Sequence, residues 1–176
     1  MLQRLVIAAY LAAVLLAAPS ARAQDSAHPF GLGIAVGDPA SLTARFWLNN
    51  DEALQFNLGW FSNFYRGDYV GEGGLATVDW VHHFGRFGPK NRKVWFRVHV
   101  GAGGGLGAYS GNCYRDIWGN WRCPDGPGLF ARVPVGFDVY LAKVRFEFYG
   151  EVAPAWRVFP DPLPLMFVQV GARYYF

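Results

Sequence analysis

Few residues in this chain could do chemistry, and their spacing argues against most of it. The histidines are His28, His82, His83 and His99. His82 and His83 are adjacent, so on a strand they point to opposite faces and do not make a simple two-histidine metal site. The serines beyond residue 23 are Ser26, Ser41, Ser62 and Ser110, in the polar lead or near segment ends. None follows a histidine in an H-x-S arrangement, so no nucleophile has an obvious base. No catalytic, cofactor-binding or metal-binding residue is assigned.

Gly103-Gly104-Gly105-Leu106-Gly107-Ala108 satisfies a loose G-x-G-x-x-A pattern. Dinucleotide binding needs a helix N-terminus after those glycines, and a strand pattern continues here instead. Gly101, Gly103, Gly105 and Gly107 would share one face of that strand, as Gly31, Gly33 and Gly37 would on another. They leave room for bulky neighbours such as Trp47, Trp95 and Tyr149, or else outline a small vestibule.

Cys113 and Cys123 are the two cysteines. In an exported chain a disulfide is the expected state. It would close a loop from Tyr109 to Pro127 that holds Tyr114, Arg115, Trp118, Trp121 and Arg122, residue types that dominate binding surfaces. The loop reads either as a surface binding site for an unknown extracellular ligand or as a cap over whatever lies beneath.

The elements that position these residues are read from the pattern. Hydrophobic residues make up 52% of the 176 residues, aromatics 18% and charged residues 16%, which excludes a disordered chain. Residues 1–23 combine Arg4, an apolar run from Leu5 to Ala18 and the small-x-small site Ala21-Arg22-Ala23. They read as a secretory signal cleaved between Ala23 and Gln24, leaving one domain over 24–176. Arg4 and Arg22 supply two of the net +3 charges, so the remainder carries +1 and offers no footprint for nucleic acid.

From Phe30 onward the sequence alternates with period two between turns. Eight strand segments are expected, near 30–37, 42–48, 53–62, 70–84, 94–109, 128–141, 144–157 and 165–176. In the seventh, Val144, Phe146, Phe148 and Val152 alternate with Arg145, Glu147, Tyr149 and Glu151. One face is continuously apolar. The other holds Gly, Ala, Tyr and arginines balanced by acids, with no lysine in a strand interior. A soluble barrel would show lysine and glutamate outside; small residues and arginine–carboxylate pairs suit a narrow, filled lumen. The expected fold is therefore all-β: an eight-stranded antiparallel up-and-down transmembrane β-barrel.

With the N-terminus on the periplasmic side, Trp60 and Trp156 collect high and Phe30, Phe84, Tyr174 and Phe176 low, as interfacial girdles do. The same topology makes 85–93 and 142–143 periplasmic turns and 109–127 the longest outer loop. The inward charges are expected to be Arg45, Asp79, Arg97, Arg132, Asp138, Arg145, Glu147, Glu151, Arg157 and Arg173. Charges inside so narrow a lumen must pair. A two-residue turn at Ala142-Lys143 would set Leu141 opposite Val144 and Asp138 opposite Glu147, two like charges for Arg97, Arg145 and Arg173 to neutralise.

The closing Gly171-Ala172-Arg173-Tyr174-Tyr175-Phe176 resembles the C-terminal signal that the barrel assembly machinery reads, with a terminal Phe176 and the aromatic Tyr174 two residues earlier. The whole chain beyond residue 23 resembles small eight-stranded outer-membrane barrels of the OmpA-membrane-domain and OmpX type. Gly31-Leu32-Gly33, Gly37-Asp38-Pro39, Phe46-Trp47-Leu48 and Glu151-Val152-Ala153-Pro154 make it similar to a family of such barrels without assigned function. The resemblance implies an integral outer-membrane location, outer-membrane lipid and the assembly machinery as partners, no cofactor, and no catalytic residues to carry over. A structural or surface-interaction role follows. The alternatives are a lipid-modifying enzyme and a narrow channel.

Overall fold

The computed structural model describes residues 29–62, 72–88, 94–110, 114–115, 119, 121–122, 126–141, 143–160 and 162–176. The described chain is all strand and turn: β1 (Phe30–Asp38), β2 (Ala40–Trp47), β3 (Glu52–Ser62), β4 (Glu72–Phe87), β5 (Val94–Ser110), β6 (Tyr114–Arg115), β7 (Trp121–Arg122), β8 (Gly126–Arg132), β9 (Val135–Leu141), β10 (Phe146–Phe159) and β11 (Leu163–Tyr175). Each wall strand pairs antiparallel with its sequence neighbour, and β11 returns to pair with β1 from Gly31↔Tyr175 to Asp38↔Val168. The sheet is thus a closed ring without an edge, as a structure surrounded by hydrocarbon requires.

β8 and β9 are two halves of one wall segment, since both lie between β5 and β10. The break falls at Val133-Pro134. A proline donates nothing to a ladder. The ladder resumes at once: Val133 N–H donates to Pro154 O at 2.9 Å and Gly101 N–H to Pro134 O at 2.8 Å. The ring therefore has eight wall positions, in agreement with the sequence pattern.

Period-two alternation puts the apolar set outside. On β10, Phe146, Phe148, Val152, Trp156 and Val158 are exposed, while Glu147, Tyr149, Glu151, Ala153, Ala155 and Arg157 are buried. Ile34 on β1, Leu58 on β3 and Leu106 on β5 are each about 62–63% exposed. Such side chains each gain roughly 1.5–3 kcal/mol on leaving water, so this wall is at ease in hydrocarbon and not in solvent.

The lumen is packed in three storeys. Near the end that carries the C-terminus, Trp47, Ala53, Val81, Tyr140 and Tyr175 cluster, with Trp95 against them. Near the opposite end, Phe61, Leu75, Phe130, Ala153, Ala155 and Phe167 cluster, with Leu165 alongside. Arginines, carboxylates, histidines and glutamines fill the space between.

Two expectations need correction. The hairpin between β9 and β10 pairs Leu141 with Phe146, Tyr140 with Glu147 and Asp138 with Tyr149. Asp138 and Glu147 are therefore not cross-strand neighbours. The chain turns between Leu141 and Phe146, with Val144 N–H donating to Leu141 O at 3.2 Å, and Arg145 has φ 57°. Arg145 is consequently exposed in that turn and does not belong to the lumen.

The glycine face of β5 is not a vestibule either. A Cβ on Gly107 would stand 2.7 Å from the Phe130 ring, and one on Gly105 would stand 2.8 Å from Thr77 Cγ2. Neighbouring side chains occupy the space those glycines leave open.

Candidate functional site: the lumen charge layer

Arg45 on β2 is the hub. Its Nη1 lies 2.9 Å from Asp138 Oδ1 and 2.9 Å from Glu147 Oε1, and its Nη2 donates to Gln55 Oε1 at 2.7 Å. The guanidinium is wholly buried. Its two carboxylate partners come from β9 and β10, across the lumen from β2. Each carboxylate is held again on its far side. Glu147 accepts from Arg173 Nη1 at 2.6 Å and from the Tyr175 hydroxyl. Asp138 Oδ2 lies 2.7 Å from His99 Nδ1 and 3.2 Å from His83 Nε2.

A second hub lies on β10. Glu151 accepts from Gln55 Nε2 at 2.7 Å, from Gln169 Nε2 at 2.9 Å and from Arg132. Arg132 Nε lies 3.1 Å from Asp79 Oδ1. Gln55 bonds both hubs, so the two form one network. Arg173 also donates to Thr43 Oγ1 from Nε at 3.0 Å and Nη2 at 2.8 Å, and its guanidinium stacks 3.7 Å from the Tyr149 ring centroid. A buried ion pair costs desolvation that only good geometry and further hydrogen bonds offset. Glu147, Glu151 and Arg173 have both, whereas Asp79 meets Arg132 as an ion pair while its two carboxylate oxygens and Arg132 Nε are buried without a hydrogen-bond partner.

The remaining sequence-derived residues fall elsewhere. Arg97 sits at the rim: its Nη1 donates to Asn50 O at 2.6 Å and its Nη2 lies 3.7 Å from Asp51 Oδ1. Arg157 is buried opposite Phe130, near the apolar storey farther from the C-terminus. Tyr114 pairs with Arg122 and Arg115 with Trp121 in the β6–β7 ladder. Trp118, Cys113, Cys123, Ala23 and Gln24 lie outside the described residues. Tyr174 packs edge-on against Phe176 at 5.1 Å, and Phe176 N–H donates to Phe30 O at 3.0 Å.

Sequence reasoning missed one constellation. His83 pairs with His99 across β4 and β5, and both rings point inward, 5.3 Å apart. The spacing of both histidines about a turn centred near residue 91 was the available signal. His82 points the other way, 4.0 Å from Glu52. His83, His99 and Asp138 each bring one ligand atom within 4.8 Å of the others. That donor set suits a transition metal. Arg45 Nη1, however, stands 3.1 Å from His83 Nε2 and 2.9 Å from Asp138 Oδ1. The guanidinium already supplies positive charge at that spot, and a second cation would be repelled. Among the described residues the hydroxyls nearest the layer are engaged elsewhere: Thr43 Oγ1 accepts from Arg173, and Ser41 Oγ lies 3.5 Å from Gln169 Oε1.

No protein-family model and no curated protein matches the chain. Among solved structures, it is similar to Neisserial surface protein A, NspA, with TM-score 0.57 and 12% identity over 84% of this chain and 93% of that one. It is also similar to the N-terminal β-barrel domain of Pseudomonas aeruginosa OprF, with TM-score 0.54 and 15% identity over 84% of this chain and 95% of that one. The chain has the fold of the small eight-stranded outer-membrane barrels.

Proposed function

We propose that the protein is an integral outer-membrane barrel with a plugged lumen. It is exported by its first 23 residues, performs no reaction in the lumen, and acts as a structural or surface-interaction protein. The observation that carries this reading is the three-storey interior. Two apolar clusters, one holding Trp47, Tyr140 and Tyr175 and the other Phe61, Phe130 and Phe167, enclose a layer of mutually paired charges. An ion path would need a continuous wet passage, and an enzyme of the lipid phase would need its acid–base groups at the wall's outer face. His83, His99, Asp138 and Glu151 are all turned inward.

The Cys113–Cys123 loop is the proposed point of contact with a partner outside the cell. The two cysteines flank the β6–β7 ladder in sequence, and Tyr, Trp and Arg dominate its composition. A disulfide there would pre-organise the surface.

A planar-bilayer recording of the folded chain tests the plug. The expected result is no steady conductance above the bare membrane. Sustained, sizeable single-channel steps would overturn the reading in favour of a channel. Lipid hydrolysis by the purified barrel, lost on His99→Ala, would overturn it in favour of an enzyme.

A further inference from the structure

His99 sits between the two hubs of the charge layer. The row that holds it runs across β5, β9 and β10: His99 pairs with Gly136, and Gly136 with Glu151. Gly136 leaves the place between the two open. A Cβ there would stand 2.7 Å from His99 Cε1 and 2.8 Å from Nε2, so the imidazole fills the space a side chain would take. From that position its two nitrogens reach different carboxylates. Nδ1 lies 2.7 Å from Asp138 Oδ2. Nε2 is buried and makes no hydrogen bond, and the group facing it is Glu151 Oε2, 3.5 Å away.

Each of these carboxylates gives one oxygen to an arginine and turns the other to His99. Asp138 Oδ1 meets Arg45, and Oδ2 meets His99. Glu151 Oε1 accepts from Arg132 and Gln169, and Oε2 accepts from Gln55 and faces His99. An ionised carboxylate only accepts, so the Asp138 contact needs a proton on Nδ1. A neutral ring would then turn its Nε2 lone pair towards a second acceptor, in a buried place where an unmatched polar contact is costly. A proton on Nε2 makes that contact an ion pair. Moving this proton to Glu151 would weaken an acceptor that serves three donors, Arg132, Gln55 and Gln169. His83 differs, although its ring lies only 5.3 Å away. Arg45 Nη1 stands 3.1 Å from His83 Nε2, so a positive charge on that ring meets the guanidinium. Asp79 lies behind Arg132, 3.1 Å from its Nε.

We propose that His99 carries a second proton in the folded barrel and acts as a cationic latch between the Asp138 and Glu151 hubs, a latch that alkali releases. This deepens the plugged-lumen reading and rests on its charge layer. While the ring is charged, it ties β5 to the carboxylates of β9 and β10. Once the Nε2 proton is gone, His99 and Glu151 face each other as two acceptors and the interior holds less tightly. Histidine is the side chain whose charge changes most readily near neutral pH, so this link is the one in the layer that pH can undo without touching an arginine.

The test uses the full chain with isotope-labelled histidine, folded in detergent micelles and read by nitrogen NMR at about pH 7.5, where a free histidine is mostly neutral, and then at rising pH. His99→Gln identifies the His99 signals by their loss. Both His99 ring nitrogens should be protonated at the starting pH. Urea unfolding of the same samples supplies the second readout. The wild-type folding constant should fall about tenfold or more across the pH range in which Nε2 loses its proton, and H99Q should lack that step. A neutral His99 in the folded wild type at the starting pH overturns the proposal. So does a proton lost with no step in stability, or a step of equal size in H99Q. If H99Q does not fold, the His99 signals are assigned through contacts to Gly136, and the two wild-type curves decide: steps at different pH overturn the latch. Planar-bilayer conductance by a barrel with a protonated His99 removes the plug and leaves the latch standing. A non-conducting barrel with a neutral His99 removes the latch alone.

Discussion

Arg45 Nη1 lies 2.9 Å from Asp138 Oδ1, although 93 residues separate the two in sequence. Removing the cation leaves Asp138 and Glu147 buried without their shared partner. Arg45→Leu should therefore lower folding stability by roughly 3–5 kcal/mol, the penalty for breaking a buried pair from one side. Urea titration of the folded barrel in detergent or lipid measures it. Arg97→Leu, at the half-buried rim, should cost no more than about 1 kcal/mol. Equal losses at the two sites would refute the distinction between layer and rim.

The glycines of β5 and the outward Gly74 make a second contrast. Gly107→Val should abolish or severely reduce the heat-modifiable folded band, because its side chain would meet the Phe130 ring and the backbone of Gly74. Gly74→Ala should be tolerated, since nothing lies within 4 Å of its missing Cβ. A folded Gly107→Val barrel of wild-type stability would show that the lumen has room to spare.

Tyr175 and Phe176 are adjacent but serve different ends. Tyr175→Phe removes the hydroxyl that donates to Glu147 and should cost about 1.5–3 kcal/mol, as for a hydrogen bond to a charged group, without slowing assembly. Phe176→Ala should leave the lumen network intact and reduce the amount of barrel assembled in cells. Pulse-labelling of cell envelopes, followed by seminative gels, separates the two effects.

Cys113 and Cys123 should resist maleimide labelling until the protein is reduced, as read by intact-mass spectrometry. Deleting 112–124 should leave the barrel folded and remove any binding at the cell surface. A free thiol in the exported protein would withdraw the disulfide.

Much of this architecture is legible in the alternation itself. Glu147, Tyr149 and Glu151 face inward on β10, and Phe148 and Val152 outward, because period two leaves no other arrangement once one face is identified. Register was harder to read. The sequence does not announce that Arg145 adopts a positive φ, and that one conformation moves Leu141 from Val144 to Phe146. A two-residue slip keeps every side chain on its own face but changes all its partners. Asp138 and Glu147 thus went from repelling neighbours to two ligands of one arginine. The His83–His99 pair stayed hidden for the same reason, since a cross-strand partner depends on where a turn is centred. The proline that splits β8 from β9 was visible as a residue, but its effect depended on the carbonyls beside it.

Long separation between oppositely charged lumen groups constrains the order in which a barrel can exist. Arg45 and Asp79 enter with the first four strands, whereas Asp138, Glu147, Glu151 and Arg132 arrive only from β8 onward. A nascent sheet ending at β5 would hold Arg45 and Asp79 at one level, two strands apart across Gln55, without the partners that β8 to β10 give each of them in the closed ring. The full set of ionic partners exists only once β8 to β11 are in place, and the seam between β1 and β11 closes the wall around that ionic centre.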